Sequence, residues 1–272
     1  MLNTPHYQCP LCHTQLVTID KSLKCDNNHQ FDFAKEGYIH LLPVQLKKSL
    51  QPGDDKNMVL ARRAFLELGH YDFLRQALLK TIQQYNHEVL VDLGCGEGYY
   101  TNFLQQQLSD CQVYGVDISK DAVKYAAKRN KALHYSVATN AHTPFTDRSV
   151  DLIINVFAPL VGKECLRILS ERGRIISVSP GAKHLVELKH AIYDKVELHE
   201  QAKSPEGFRL KKTTNIERVI ELSEPKDIEN LLTMTPFGWK ISEQKKSDLL
   251  ANLPFSLTLQ FSLNEFVVDN ID

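Results

Sequence analysis

The chain reads as an α/β protein with a doubly wound, largely parallel sheet, preceded by a small metal-stabilised unit. Three observations carry that expectation. Apolar runs rich in β-branched residues alternate with helical segments, the pattern of parallel strands buried on both faces. One such run, beginning at Val89, ends in an acid and then three glycines at every second position, Asp92-x-Gly94-x-Gly96-x-Gly98. Near the start, two close pairs of soft metal ligands stand apart, Cys9 with Cys12 and Cys25 with His29.

A length of 272 residues suits one sizeable core and an appendage. With 43% hydrophobic and 24% charged residues, the composition is that of an ordinary globular protein. A net charge of −1 excludes a globally basic nucleic-acid binder but leaves room for local basic patches. No apolar run approaches a membrane span and no signal segment opens the chain, so the cytoplasm is the expected compartment, with no membrane partner. Six cysteines, three of them before residue 26, do not form a disulfide framework.

The first unit is expected over residues 1–45. Cys9-Pro10-Leu11-Cys12, a twelve-residue spacer and Cys25-Asp26-Asn27-Asn28-His29 have the form of two knuckles presenting four ligands to a structural Zn2+. The alternative is that these are small buried residues of a β-hairpin. His6 and His13 are spare imidazoles. Residues 31–44 carry Phe31, Phe33, Tyr38, Ile39, Leu41 and Leu42, which are expected to close the small unit.

Residues 46–87 are expected as a linker and helical segment. Lys47, Lys48 and the turn at 51–55 read as exposed, and Asp55 or Asn57 caps a helix over 58–68 that Gly69 stops. Arg62 and Arg63 lie on it, on a solvated face or against RNA phosphates. A second helix is expected over 73–85.

Residues 88–272 form the main domain. The glycine turn joins the first sheet strand to a helix over 99–108, and a strand over 112–116 ends in Asp117. Glycines serve where the backbone takes positive φ or a ligand lies against it, and Asp117, about twenty residues on, suits a pair of ribose hydroxyls. A dinucleotide site uses G-x-G-x-x-G. The spacing here suits a nucleoside carrying an amino-acid tail and no phosphate, S-adenosyl-L-methionine; an ordinary glycine-rich turn and a dinucleotide are the alternatives. Further elements follow as a helix over 120–130 and a strand over 134–137. Next come a strand over 151–157, a helix over 163–169, a strand over 173–178 and a helix over 184–193. A strand over 216–222, a helix over 226–234 and an alternating closing strand over 255–263 complete the pattern.

Together these stretches resemble one family. They are Cys9-x2-Cys12-x12-Cys25-x3-His29, Phe31-Asp32-x-Ala34-Lys35-Glu36-Gly37-Tyr38 and Leu41-Leu42-Pro43-Val44-Gln45, with Ala61-Arg62-Arg63-Ala64-Phe65 and Gly69-His70-Tyr71. Gly94-Cys95-Gly96-Glu97-Gly98-Tyr99-Tyr100-Thr101 and His184-Leu185-x-Glu187-Leu188-Lys189 complete the set. They resemble the bacterial 23S rRNA guanine-N1 methyltransferases, most nearly the branch from Gram-negative bacteria rather than the macrolide-resistance branch. The resemblance covers nearly the whole chain and is weakest after about Ala251. It implies a class I (Rossmann-like) methyltransferase domain with a zinc module that recruits RNA, acting on a guanine of a 23S rRNA hairpin loop. It further implies cofactor contacts at Tyr71, at the glycine turn through Gly98 and Tyr99, and at His184, and a homodimer with an RNA cleft between subunits. The zinc ligands it implies are Cys9, Cys12, Cys25 and His29.

Methyl transfer needs in-line alignment, a splayed-out target base and an acceptor for the N1 proton. The loop after the fourth main-domain strand, Asn155-Val156-Phe157-Ala158-Pro159, occupies the place for the target. Phe157 is expected to stack on the guanine and Asn155 to bind its edge, against the plainer reading of a core ring and a strand end. Glu187 and His184 are the candidate bases. RNA contact is expected from Lys35, Lys47, Lys48, Arg62 and Arg63. A small-molecule methyltransferase of the same fold and a non-catalytic RNA-binding protein are the competing readings.

Overall fold

A computed structural model describes residues 6–47, 49–50 and 52–269; Lys48 and Gln51 of the expected linker lie outside the described residues. Three short strands, β1 (Val17–Ile19), β2 (Ser22–Lys24) and β3 (Gln30–Asp32), form an antiparallel sheet beside the Cys/His cluster. β4 (Ile39–His40) leaves them for a larger sheet. That sheet is built from β5 (Val89–Leu93), β6 (Gln112–Asp117), β7 (His134–Val137), β8 (Val150–Val156), β9 (Leu169–Pro180), β10 (Phe208–Leu222) and β11 (Phe255–Val268). Helices α1 (Lys56–Glu67), α2 (Asp72–Ile82), α3 (Tyr99–Gln107) and α4 (Lys120–Arg129) flank it, with α5 (Gly162–Ile168), α6 (Val186–Ile192), α7 (Pro225–Thr233) and α8 (Glu243–Ala251).

The strand order is β10-β11-β9-β8-β5-β6-β7-β4, parallel from β9 to β4, with β11 and β10 antiparallel at the other edge. Chain order reverses at β5, which lies between β8 and β6. Ligands of open α/β sheets bind outside the carboxyl ends of the strands at such a reversal.

The central strands are apolar on both faces because both faces are covered. Val89, Val91 and Leu93 of β5 join a core with Tyr7, Leu16, Leu23 and Ile39, whereas Leu90 joins the opposite core with Phe65, Leu74 and Leu104. The zinc unit therefore covers, with α5, the face on which a doubly wound sheet usually carries more helices. Tyr7 packs 5.2 Å from Phe145 and 5.5 Å from Tyr114, ring to ring. The segment expected to close the small unit thus also enters the large sheet, pairing Ile39 with Ser136 and His40 with Val137.

Local chemistry sets the element ends. Asp55 Oδ1 accepts from the amides of Asn57 (2.7 Å) and Met58 (2.9 Å), so α1 starts two residues before the expected 58. Leu185, at φ 55°, delays α6 to Val186 and leaves His184 in the preceding turn. β10 runs well beyond the expected 216–222 because it pairs along the whole of β11, while its mostly exposed polar side chains hide it from apolar patterning. α8 carried no expectation; it buries only Leu249. No helix among the described residues is long and apolar enough to cross a membrane.

Candidate functional site

At the zinc unit, Cys9, Cys12, Cys25 and His29 bring four ligand atoms within 4.8 Å of one another. His29 Nδ1 lies 3.5 Å from both Cys9 Sγ and Cys25 Sγ, and Cys12 Sγ lies 3.6 Å from Cys25 Sγ. A tetrahedron with bonds of about 2.3 Å to sulfur and 2.0–2.1 Å to nitrogen has edges of about 3.5–3.8 Å. Three thiolates and one imidazole at that spacing fit Zn2+ in a closed, structural site.

The second site is a cleft of about 1520 Å3 across the carboxyl ends of β5, β6, β8 and β9. Its floor is the glycine turn. Gly94, Gly96 and Gly98 all have positive φ, but for separate reasons. A Cβ on Gly94 would lie 2.3 Å from that of Ala158, so this glycine lets the turn touch the loop after β8. A Cβ on Gly96 would meet nothing and would project into open space, where a ligand can lie against the backbone. A Cβ on Gly98 would strike Tyr135 and Ala126 in the core.

Asp117 closes the next wall. Its Oδ2 accepts from the Gly96 amide at 2.9 Å and its Oδ1 from the Ser119 amide at 2.8 Å. Burial raises its pKa, while those two amides pull it back toward the ionised form. The carboxylate is thereby fixed at the cleft with lone pairs remaining for two ribose hydroxyls. This cradle, with the open space at Gly96, fits the nucleoside and amino-acid tail of S-adenosylmethionine. Asp92 is buried beneath the turn, where Oδ2 accepts from Thr101 Oγ1 at 2.6 Å; burial first, and then Asp117, push its pKa to about 7 against the Thr101 hydrogen bond.

Beyond the turn, Asn155 Nδ2 donates to the Leu93 carbonyl at 2.8 Å and locks the end of β8 to that of β5. Phe157 follows with φ 57° and is 45% exposed at the cleft. A bulky residue in the left-handed region is strained and persists only where its surroundings impose it. Here its amide donates to the Val178 carbonyl at 3.1 Å, and its ring lies 6.2 Å from His184 and 5.6 Å from Phe261. His184 is buried against Phe261, and burial, then His199 and Lys189, hold its pKa down to about 3.

A family model described as RlmA, N-terminal, a zinc ribbon, matches residues 7–50, and one described as Methyltransferase domain matches residues 90–176. The 23S rRNA (guanine(748)-N(1))-methyltransferase of Streptomyces fradiae is 34% identical over 192 residues, covering 69% of this chain and 68% of its own. The chain belongs to the family of 23S rRNA guanine-N1-methyltransferases. Two further proteins named for that activity agree. One from Bacillus subtilis (strain 168) is 29% identical over 256 residues, 89% of each chain. One from Micromonospora griseorubida is 31% identical over 205 residues, 68% of each.

The methyltransferase brings most of the expected site residues to one cleft. Tyr71, Gly94, Gly96, Tyr99, Asp117, Asn155, Phe157 and His184 all line it. Asp92 and Gly98 do not; they hold the turn from beneath. Glu187, a candidate base, is not among the residues that line the cleft; its two oxygens accept from the Thr258 amide (2.8 Å) and hydroxyl (2.5 Å). Arg62 leaves the expected outer face: it pairs with Asp54 and donates to the Met234 carbonyl inside the cleft. Arg63 pairs with Glu67 at 3.0 Å.

Sequence reading missed Gly53 and Asp54, expected in an exposed turn. A Cβ on Gly53 would lie 2.9 Å from Ser119 Cβ, and the Asp54 carbonyl accepts from Ser119 Oγ at 2.7 Å, so this strand of chain straps the end of β6. It also missed Lys189, His199 and the turn Pro236–Trp239, which line the cleft from elements distant in sequence.

Proposed function

We infer that this methyltransferase transfers the methyl group of S-adenosylmethionine to N1 of a guanine in a hairpin loop of 23S rRNA. The observation that carries the reading is the joining, in one packed body, of a Cys3His zinc ribbon to a glycine-turn cleft whose rim holds the strained, exposed Phe157. In this reading residues 1–45 recognise RNA, 46–87 connect, and 88–272 perform the transfer. The cofactor, when bound, supplies an activated methyl on a sulfonium centre. Gly96 and Asp117 hold its nucleoside end, and Tyr71 and Tyr99 wall the cleft.

Phe157 offers its ring face to a splayed guanine, and Asn155 keeps that loop against the glycine turn. His184 accepts the Gln260 amide at Nδ1, so its neutral ring keeps a proton on Nε2 and acts as a donor, not as the base. The N1 proton needs another acceptor. His199 lines the same cleft 6.3 Å from His184, ring to ring, and burial and Lys189 keep it neutral and able to take that proton. The cytoplasm, a homodimer around the hairpin and the guanine of the Gram-negative branch belong to the same reading.

The deciding experiment incubates the protein with radiolabelled S-adenosylmethionine and protein-free 23S rRNA, followed by nucleoside analysis and mapping. Label in 1-methylguanosine within a hairpin loop is the expected result. Label in another nucleoside breaks the guanine-N1 assignment, and bound cofactor without RNA label favours a small-molecule acceptor. Sedimentation with and without RNA tests the dimer.

A further inference from the structure

We propose that Trp239 is a stacking platform for a nucleobase adjacent to the target guanine, at the mouth of the cleft. This rests on the RNA reading above and goes on to name a residue that would hold the substrate. Trp239 is the single tryptophan of the chain and is 76% exposed. It stands in the short 3-10 turn Pro236–Trp239, which lines the cleft together with Phe237 and Lys240.

The turn is anchored on its inner side. Phe237 packs 6.2 Å from Tyr193, Thr235 Oγ1 donates to the Leu231 carbonyl at 2.9 Å, and the Met234 carbonyl accepts from Arg62 at 3.3 Å. A fixed backbone thus presents an indole that is not itself used for packing. The charge around it suits a polyanion: Lys195, Lys203 and Lys240 line the same cleft and form no ion pair among the described residues. Of the cleft carboxylates, Asp54 is paired with Arg62, Glu97 with Arg129, and Asp117 is held by backbone amides, which leaves Glu197 beside the lysines.

Space and energetics point the same way. Small-molecule pockets run to about 300–1000 Å3, so a cleft of about 1520 Å3 has room for more than a cofactor and one base. Splaying a guanine out of a stacked loop leaves its neighbour without a stacking partner, and an indole face replaces that partner regardless of base identity.

Because Trp239 is the sole tryptophan, its emission reports on this position alone. The test titrates the full-length protein with an unmethylated, protein-free 23S rRNA fragment carrying the hairpin that the protein methylates, alongside filter binding. Expected are quenching and protection from acrylamide on RNA binding, with no change on S-adenosylhomocysteine alone. Trp239→Ala should raise the Kd and KM for RNA about tenfold with cofactor affinity and Tm unchanged, and Trp239→Phe should restore most of the loss. RNA binding with unchanged emission, and wild-type affinity in Trp239→Ala, overturns the platform while leaving the RNA reading intact. Emission that follows protein concentration alone makes Trp239 a subunit contact, and emission that follows cofactor alone makes it a cofactor wall; either overturns it. Absence of RNA retention on the filter overturns both readings together.

Discussion

The backbone amide of Gln260, in the middle of β11, donates to Nδ1 of His184 over 3.3 Å, so a strand distant in sequence sets the tautomer of a cleft residue. Burial first, and then His199 and Lys189, hold the folded-state pKa of His184 at about 3, below its usual 6.5. The stability contributed by this neutral ring is complete above pH 6.5 and drains as pH falls toward 3, because the unfolded chain takes up the proton first. His184→Asn should therefore give a shallower fall of unfolding free energy between those limits in urea melts at stepped pH. The difference is at most about 1.4 kcal/mol per pH unit. An unchanged slope would mean that His184 is protonated in the folded protein.

Phe157 carries a backbone cost that a glycine would not. At φ 57°, glycine should exceed alanine in stability by about 1–2 kcal/mol. Phe157→Gly is expected to melt above Phe157→Ala, while both lose most turnover on saturating RNA with cofactor affinity retained. Equal melting temperatures would show that the loop relaxes, and full turnover would remove Phe157 from the target site.

The two cleft-facing glycines of the turn should fail differently. Gly94→Ala drives a methyl into Ala158 and is expected to lower Tm and displace the Phe157 loop. Gly96→Ala meets no protein atom, so it should fold with only the left-handed backbone cost of about 1–2 kcal/mol. Its Cβ occupies the ligand's space, and calorimetry should show cofactor binding weakened tenfold or more. Wild-type cofactor affinity in Gly96→Ala would place the ligand elsewhere.

Zinc should stabilise the whole body and not the ribbon alone. Tyr7, Leu16, Leu23 and Ile39 share a core with Val91, Tyr114 and Phe145, and each fully buried side chain of this kind contributes roughly 1.5–3 kcal/mol. Cys12→Ser, or a strong chelator, should release one zinc per chain and lower Tm in a single transition. A separate low-temperature transition that leaves the main unfolding unchanged would show that the ribbon unfolds on its own.

Much of this molecule is legible residue by residue. Asp92-x-Gly94-x-Gly96-x-Gly98 and the two ligand pairs are local patterns: the chemistry of a tight turn or a tetrahedral ion restricts residue type at fixed spacing. β5 to β9 announced themselves because burial on both faces leaves continuous apolar runs. The first half of β10 did not, since an edge strand keeps polar side chains, and α8 buries too little to impose a period.

Read along the chain, the zinc ligands, the alternation of strands and helices from β5 to β9 and the glycine turn are already visible, because each depends on neighbours within a few tens of residues. Tertiary structure alone decided that Glu187 is spent on Thr258 and that Arg62 points into the cleft. It also decided that residues 53–54 strap Ser119, and that His199 and Trp239 reach the same cleft as Phe157. Those outcomes depend on which side chains meet across a sheet after long loops have closed, and no spacing along the chain encodes such a meeting.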